Sequence, residues 1–322
     1  MTLPPLEYTL PCMYIKFIAH AGLYLKEGSF SLLVDPWFTD STREKPLMQS
    51  LSGHTTIDFQ TPEAHDAADA FSPNAILLSH FHAHHGPHAD LVTFAERQNP
   101  LLIAHPDVGD TNRTAREFFS AYSKTELLPL ADRGTLRVGP FTITALSHAV
   151  PMHTAWHIAT HRGSILHVAD ARVNRDMSRT TVDPLWNIFS ELKANIIFLS
   201  AAGNSLRKTT KEGTRDILES GCMSPIQGAK IIQRLKPQVA TLIGCYNHSI
   251  WQGRSEYLLP AAVAEEQFYW AASWLAPETK CVFAKPGHTY GIADSDLAGK
   301  VDTFITGLTF KEKLKEIWNR SA

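Results

Sequence analysis

The sequence predicts an α/β fold in which mixed β-sheets carry helices on their outer faces. Three observations lead there. The chain opens with strand hairpins, then alternates short apolar runs with helical stretches, and then repeats that plan. No short tandem repeat and no flexible linker interrupts it, so one domain over residues 1–322 is expected.

Taken in order, Met13–Ile18 reads as a strand. Leu23–Lys26 and Phe30–Val34 read as two more, turning at Glu27-Gly28. Asp35-Pro36-Trp37-Phe38 closes the second, because proline cannot continue a hydrogen-bonded ladder. Thr39–Phe71 is polar and without periodicity, which predicts a long surface excursion. Ala75–Leu78 is wholly apolar, as a strand buried on both faces should be. A histidine run follows at once, and Pro87 suits the first turn of a helix reaching about Arg97. Leu101–Ala104 is a buried strand, Thr111–Tyr122 a helix and Glu126–Pro129 extended.

The second pass begins with two hairpins. Thr135–Val138 pairs with Phe141–Leu146 across Gly139-Pro140, and Ala155–Thr160 pairs with Ser164–Val168 across Arg162-Gly163. Helices at Leu185–Leu192, Pro225–Leu235 and Leu259–Leu275 then alternate with strands at Ile196–Leu199, Val239–Ile243 and Cys281–Ala284. Within 308–322, Phe310–Trp318 reads as an amphipathic helix.

Composition narrows the function. With 30 basic and 32 acidic residues the net charge is −2, and no long Lys/Arg block exists, so no nucleic-acid partner is expected. The one local cluster, Arg207 to Lys211, reads as a solvated loop. No apolar stretch approaches the ~18 residues that span a bilayer, and Met1–Pro11 lacks a secretory pattern. Four dispersed cysteines, Cys12, Cys222, Cys245 and Cys281, form no CxxC and read as reduced thiols. The expectation is a cytoplasmic protein acting on a small-molecule substrate with no membrane partner. A homo-oligomer is compatible with it.

Histidine is the outlier. Five of the 16 lie between His80 and His88. In Ser79-His80-Phe81-His82-Ala83-His84-His85, residues two apart in extended chain point the same way, so His80 and His82 can face one ion from a strand end. His84 and His85 come as the chain turns, and can face a second direction. The alternative is a solvent-exposed histidine-rich loop. Three further positions weigh against it. His148 follows the Phe141–Leu146 strand, Asp170 ends Val168-Ala169-Asp170, and His248 follows the Val239–Ile243 strand. Each sits near a strand end, where an α/β sheet gathers ligands.

This pattern resembles the metallo-β-lactamase superfamily, whose first motif is HxHxDH and whose later ligands are single His, Asp and His residues. Ile18-Ala19-His20-Ala21-Gly22, with Leu33-Val34-Asp35-Pro36-Trp37-Phe38, is similar to the opening of the branch that includes L-ascorbate-6-phosphate lactonase-like proteins. The resemblance covers roughly Tyr14 to His288. It implies a four-layer αββα sandwich with two mixed sheets. It also implies that His80, His82 and His148 hold one metal, that His85 and His248 hold the other, and that Asp170 bridges them. His84 stands where the family has aspartate, and is expected to ligate the second metal in its place. That exchange raises the charge of the site by one unit and favours nitrogen-preferring ions. One or two zinc ions are expected, with iron, manganese or nickel as alternatives.

The chemistry so implied is hydrolysis of an ester, lactone, amide or phosphodiester by metal-activated water, whose pKa falls from 15.7 to roughly 7. No GxSxG elbow competes with it. Asp35 is a candidate for orienting the ligands, or else a turn cap. His20 is a candidate for substrate contact or proton transfer, or else a structural histidine. His153, Arg172, Asn247 and His288 are weaker candidates for lining the pocket. His88, His105, His157, His161 and His167 read as structural or surface residues. Two other function classes stay open: a di-iron redox enzyme on the same fold, and a non-catalytic metal-binding protein.

Overall fold

Alternating burial makes the first described segment a strand: β1 (Cys12–Phe17) buries Met13, Ile15 and Phe17 and turns the residues between them outward. The structure, a computed structural model, describes residues 12–18, 21–36, 71–80, 89–104, 127–147, 154–169, 191–201, 206–210, 213–217, 225–243, 261–283 and 289–293. After β1 come β2 (Leu23–Glu27), β3 (Phe30–Val34), β4 (Ala75–Leu78), helix α1 (Ala89–Gln98), β5 (Leu101–Ala104) and β6 (Leu127–Pro129). Then follow β7 (Thr135–Val138), β8 (Phe141–Ser147), β9 (Thr154–Thr160), β10 (Gly163–Val168), β11 (Ile196–Ser200), β12 (Leu206–Thr210) and β13 (Gly213–Ile217). Helix α2 (Pro225–Leu235), β14 (Val239–Ile243), helix α3 (Ala261–Leu275), β15 (Lys280–Phe283) and β16 (Thr289–Ala293) complete the described elements.

Two seven-stranded mixed sheets result. The first runs β16-β1-β2-β3-β4-β5-β6 and the second β15-β14-β11-β10-β9-β8-β7. Each is antiparallel in one half and parallel in the other. Hairpins can supply only antiparallel pairs, whereas parallel neighbours need crossovers, and α1, α2 and α3 lie on three of these. The predicted order of hairpins followed by alternation is this division, made twice.

The sheets bury their facing surfaces against each other. Leu25, Leu32, Val34, Leu77 and Ile103 of the first meet Ile143, Trp156, Ile158, Ile165 and Phe198 of the second in one cluster. Phe198 and Tyr290 make an edge-on ring contact across the gap, with centroids 5.4 Å apart. On its outer face the second sheet presents Leu166, Val168, Ile197, Leu199, Ala240 and Leu242 to α2 and α3, including Ala229, Ile232, Phe268, Tyr269 and Ala272. The Tyr269 hydroxyl donates to the Val282 carbonyl. α1 links the parallel strands β4 and β5, so it must lie on one face of the first sheet. The inner face is taken, and the outer one carries buried Leu33, Ile76, Leu78 and Leu102. These are the layers of an αββα sandwich.

Several expectations need correction. The first hairpin turns at Gly28-Ser29, one residue later than predicted, because Glu27 pairs with Phe30 and Gly28 takes a φ of 60°. The β9–β10 hairpin turns at His161-Arg162, since Thr160 pairs with Gly163. Arg207 to Thr210, read as a solvated loop, belongs to β12, which pairs with β13 as a separate two-stranded sheet. Ladder hydrogen bonds do not require apolar side chains, so a basic strand carries no hydrophobic signal. Most of the Thr39–Phe71 excursion, the predicted helices Thr111–Tyr122 and Phe310–Trp318, and nearly all of Leu185–Leu192 lie outside the described residues. No described helix is long and apolar enough to cross a membrane.

Candidate metal centre

Strand direction decides where the candidate residues can meet. β10, β11 and β14 run parallel, so Val168, Leu199 and Leu242 lie side by side near one edge of the second sheet. β8 reaches the same edge, because Ser147 pairs with Thr154 and Trp156 with His167. Ser147 is the residue before His148, Ala169 the residue before Asp170, and Ile243 lies five before His248. In the first sheet, β3 and β4 run parallel and end together at Asp35 and at Ser79-His80. The Thr154 amide donates to the Ser79 carbonyl at 2.9 Å and ties the two edges into one rim.

At that rim Asp35, Ser79 and His80 are buried and joined. The Asp35 carboxylate accepts from the Ser79 amide at 2.7 Å through Oδ1, and from the Ser79 hydroxyl at 2.5 Å through Oδ2. The Ser79 hydroxyl also lies 2.9 Å from Nδ1 of His80. With Asp35 ionised, these contacts select one tautomer. The hydroxyl has one proton, and the carboxylate, which can only accept, takes it. Nδ1 must then donate to Oγ, so a neutral His80 ring carries its proton on Nδ1 and its lone pair on Nε2. That is the form a metal-ligating imidazole needs, with the other nitrogen held by a hydrogen bond.

Asp35 does this from a left-handed backbone, φ 41°, a region that aspartate and asparagine enter more readily than most residues with a Cβ. Such a conformation costs on the order of 1 kcal/mol or more and persists only where its surroundings enforce it. Here the Asp35 amide donates to the Leu77 carbonyl, while the carboxylate engages the residue two beyond it. The backbone strain is thus coupled to the placement of His80.

A second tie crosses between the sheets at this end. His167 of β10 is fully buried, and its Nε2 lies 2.8 Å from the Ala21 carbonyl in the β1–β2 turn. A carbonyl only accepts, so this nitrogen is the protonated one. The same turn is closed by the Ile18 amide donating to Gly22.

Of the residues singled out in the sequence, Asp35 and His80 are therefore brought together. His20, His82, His84, His85, His148, Asp170 and His248 lie outside the described residues, as do His153, Arg172, Asn247 and His288. Among the described residues no three His, Cys, Asp or Glu side chains form a metal-holding group. The described part nevertheless fits a divalent metal: one buried imidazole with its Nε2 lone pair set by an anchored carboxylate. Sequence reasoning missed Ser79, whose amide and hydroxyl both engage Asp35 and whose hydroxyl also reaches His80. A serine ending a buried apolar strand was the available signal, since a buried hydroxyl needs partners. His167 was read as structural or surface; it is buried and joins the sheets.

A family model described as Beta-lactamase superfamily domain matches residues 31–244, more than half of the chain. A protein named metal-dependent hydrolase from Pyrobaculum calidifontis is 25% identical over 173 residues, covering 51% of this chain. The chain spans 64% of that relative's length. Igni18 of Ignicoccus hospitalis, described as a metallo hydrolase, superposes with a TM-score of 0.56 at 12% identity, over 86% of this chain and 97% of its own. CmlA of Streptomyces venezuelae, described as a diiron β-hydroxylase, superposes with a TM-score of 0.59 at 13% identity, over 90% of this chain and 55% of its own. These two likenesses establish the fold, an αββα arrangement reached from very different sequences. By its match over residues 31–244, the chain belongs to the family of beta-lactamase superfamily domains.

Proposed function

We propose that this protein is a metal-dependent hydrolase of a small-molecule ester, lactone, amide or phosphodiester. The observation that carries the reading is the Asp35–Ser79–His80 linkage, which presents an imidazole lone pair at a rim where both sheets end. The name carried by the archaeal relatives, metal-dependent hydrolase, supports it.

His80, His82 and His148 would hold one ion, and His84, His85 and His248 a second, with Asp170 shared between them. Zinc suits so nitrogen-rich a set, and iron, manganese and nickel are the alternatives. A bound divalent ion supplies a Lewis acid that polarises a substrate oxygen and acidifies water. The chain's own part is to hold these imidazoles in one tautomer and one direction. Asp35 does so through Ser79 for His80. His20, one residue before Ala21 in the sequence, would contact substrate or move a proton.

The test is metal content in protein purified without chelator or histidine tag, followed by turnover of a panel of lactones, esters and phosphodiesters. The expected result is zinc at one or two equivalents. In His82→Ala, stoichiometry and turnover should fall together. A wild type without bound metal, or a His82→Ala variant with undiminished metal, would sink the reading. Bound iron with a visible charge-transfer band would move the assignment to redox chemistry on the same fold.

A further inference from the structure

Ala21 is fully buried, so its carbonyl cannot turn to water and needs a donor from the protein. His167 provides one at 2.8 Å, from the other sheet and 146 residues along the chain. A histidine is a costly choice for this position. Its neighbours on the same inner face, Ile165 on its own strand and its register partner Trp156 on β9, belong to the apolar cluster between the sheets. Burying a polar ring there is unfavourable unless its hydrogen bond does something that an apolar side chain could not.

The two ends of that bond identify the task. β10, which carries His167, ends at Val168, and Asp170 comes two residues later in the sequence. The Ile18–Gly22 turn, which carries His20, meets β2 at Leu23, and Leu23 pairs with Val34 beside Asp35. We propose that His167 is a positioning residue: its Nε2–H, given to the Ala21 carbonyl, fixes the turn carrying His20 relative to the strand leading to Asp170. This rests on the hydrolase reading, in which Asp170 and His20 serve the same site. A tie of this kind acts through the backbone. It sets where Ala21 stands relative to β10 while touching neither substrate nor metal.

The experiment compares His167→Leu, His167→Gln and His167→Asn in the full chain. Glutamine can place a donor near the position of Nε2, whereas asparagine is too short and leucine has no donor. Three quantities are read: amide hydrogen exchange at Ile18, whose bond to Gly22 closes the turn; zinc affinity by chelator competition; and kcat against KM on whichever substrate the wild type turns over. In the leucine and asparagine variants, Ile18 exchange should rise about tenfold or more. Zinc affinity or kcat should fall roughly 10–100-fold, the range typical of groups that orient a metal site. KM should stay near wild type, and glutamine should restore most of each loss. If the leucine variant does not fold, the glutamine–asparagine pair decides. Variants with wild-type exchange, affinity and kcat, or glutamine no better than asparagine, would overturn the role. A wild type that holds no metal would instead overturn the hydrolase reading, and this role with it.

Discussion

At the scale of single residues, the Asp35–Ser79–His80 linkage yields a prediction about a proton. In Asp35→Asn the amide Oδ1 still accepts from the Ser79 amide, which leaves Nδ2 facing the Ser79 hydroxyl. Oγ must then accept from Nδ2 and turn its own proton toward Nδ1 of His80. The ring proton moves to Nε2 and the lone pair points the wrong way. Asparagine tolerates the left-handed backbone at least as well as aspartate, so stability should change by only about 1 kcal/mol, the difference between a charge-assisted and a neutral hydrogen bond. Zinc affinity should nevertheless fall on the order of 10–100-fold. Chelator competition together with 15N shifts of the His80 ring checks both halves. Unchanged affinity with the ring proton moved would show that His80 Nε2 is not a ligand. Sequence reading reached Asp35 and His80 because each stands at a strand end in a recognisable pattern. It passed over Ser79 and left His167 as structural or surface, because a hydroxyl and an isolated histidine acquire meaning only from partners 44 and 146 residues away.

At the scale of elements, the apolar strands and α2 were legible because burial on both faces or on one stripe leaves a periodic trace. Pro225–Leu235 and Val239–Ile243 fall where they were read. The basic strand β12 and its partner β13 left no such trace. Helix α2 also holds a position where propensity and packing disagree. Glycine inside a helix is less favourable than alanine by about 1 kcal/mol. A Cβ at Gly228, however, would stand 2.8 Å from Cβ of Ala201 and 3.0 Å from the Phe268 ring. Ala201 follows β11 and Phe268 belongs to α3, so that methyl would push the helix away from the sheet and its neighbouring helix at once. Gly228→Ala should therefore destabilise, by about 1–3 kcal/mol as overpacked core sites do. Urea unfolding gives the sign directly. A gain in stability would mean that α2 sits further from the sheet than these distances state.

At the scale of the whole molecule, the two sheets are held at both ends. Thr154–Ser79 and His167–Ala21 join them at the rim, while buried Glu27 of β2 meets Arg162 at 3.4 Å and His161 at 3.1 Å at the opposite edge. Between these ends, burial makes stability depend on pH in both directions. Desolvation pushes the Cys281 thiol from an ordinary 9.0 up to about 12. It also pushes the Tyr290 phenol from 10.0 to about 12, against a smaller lowering by its hydrogen bond with Thr241. Above pH 9, and further above pH 10, the unfolded chain gives up these protons while the folded chain keeps them. The folded state then binds more protons, and stability must fall as pH rises toward 12. His157 works at the other end. Burial lowers its pKa below 6.5, against a smaller raising by its hydrogen bond to the Lys193 carbonyl, so the unfolded chain takes up a proton first as the medium is acidified. Stability contributed by the neutral ring is complete above pH 6.5 and declines as pH falls through the folded value. Urea midpoints measured from pH 5 to 11 should trace a plateau with two falling limbs. Cys281→Ala and Tyr290→Phe should each flatten the alkaline limb, and His157→Gln the acid limb, each judged by its difference from wild type at the same pH so that other titrating groups cancel. An alkaline limb of wild-type slope in the Cys281→Ala, Tyr290→Phe double variant would mean that these two groups meet water in the folded chain, and that the contact between the sheets at Tyr290 is looser than its burial implies.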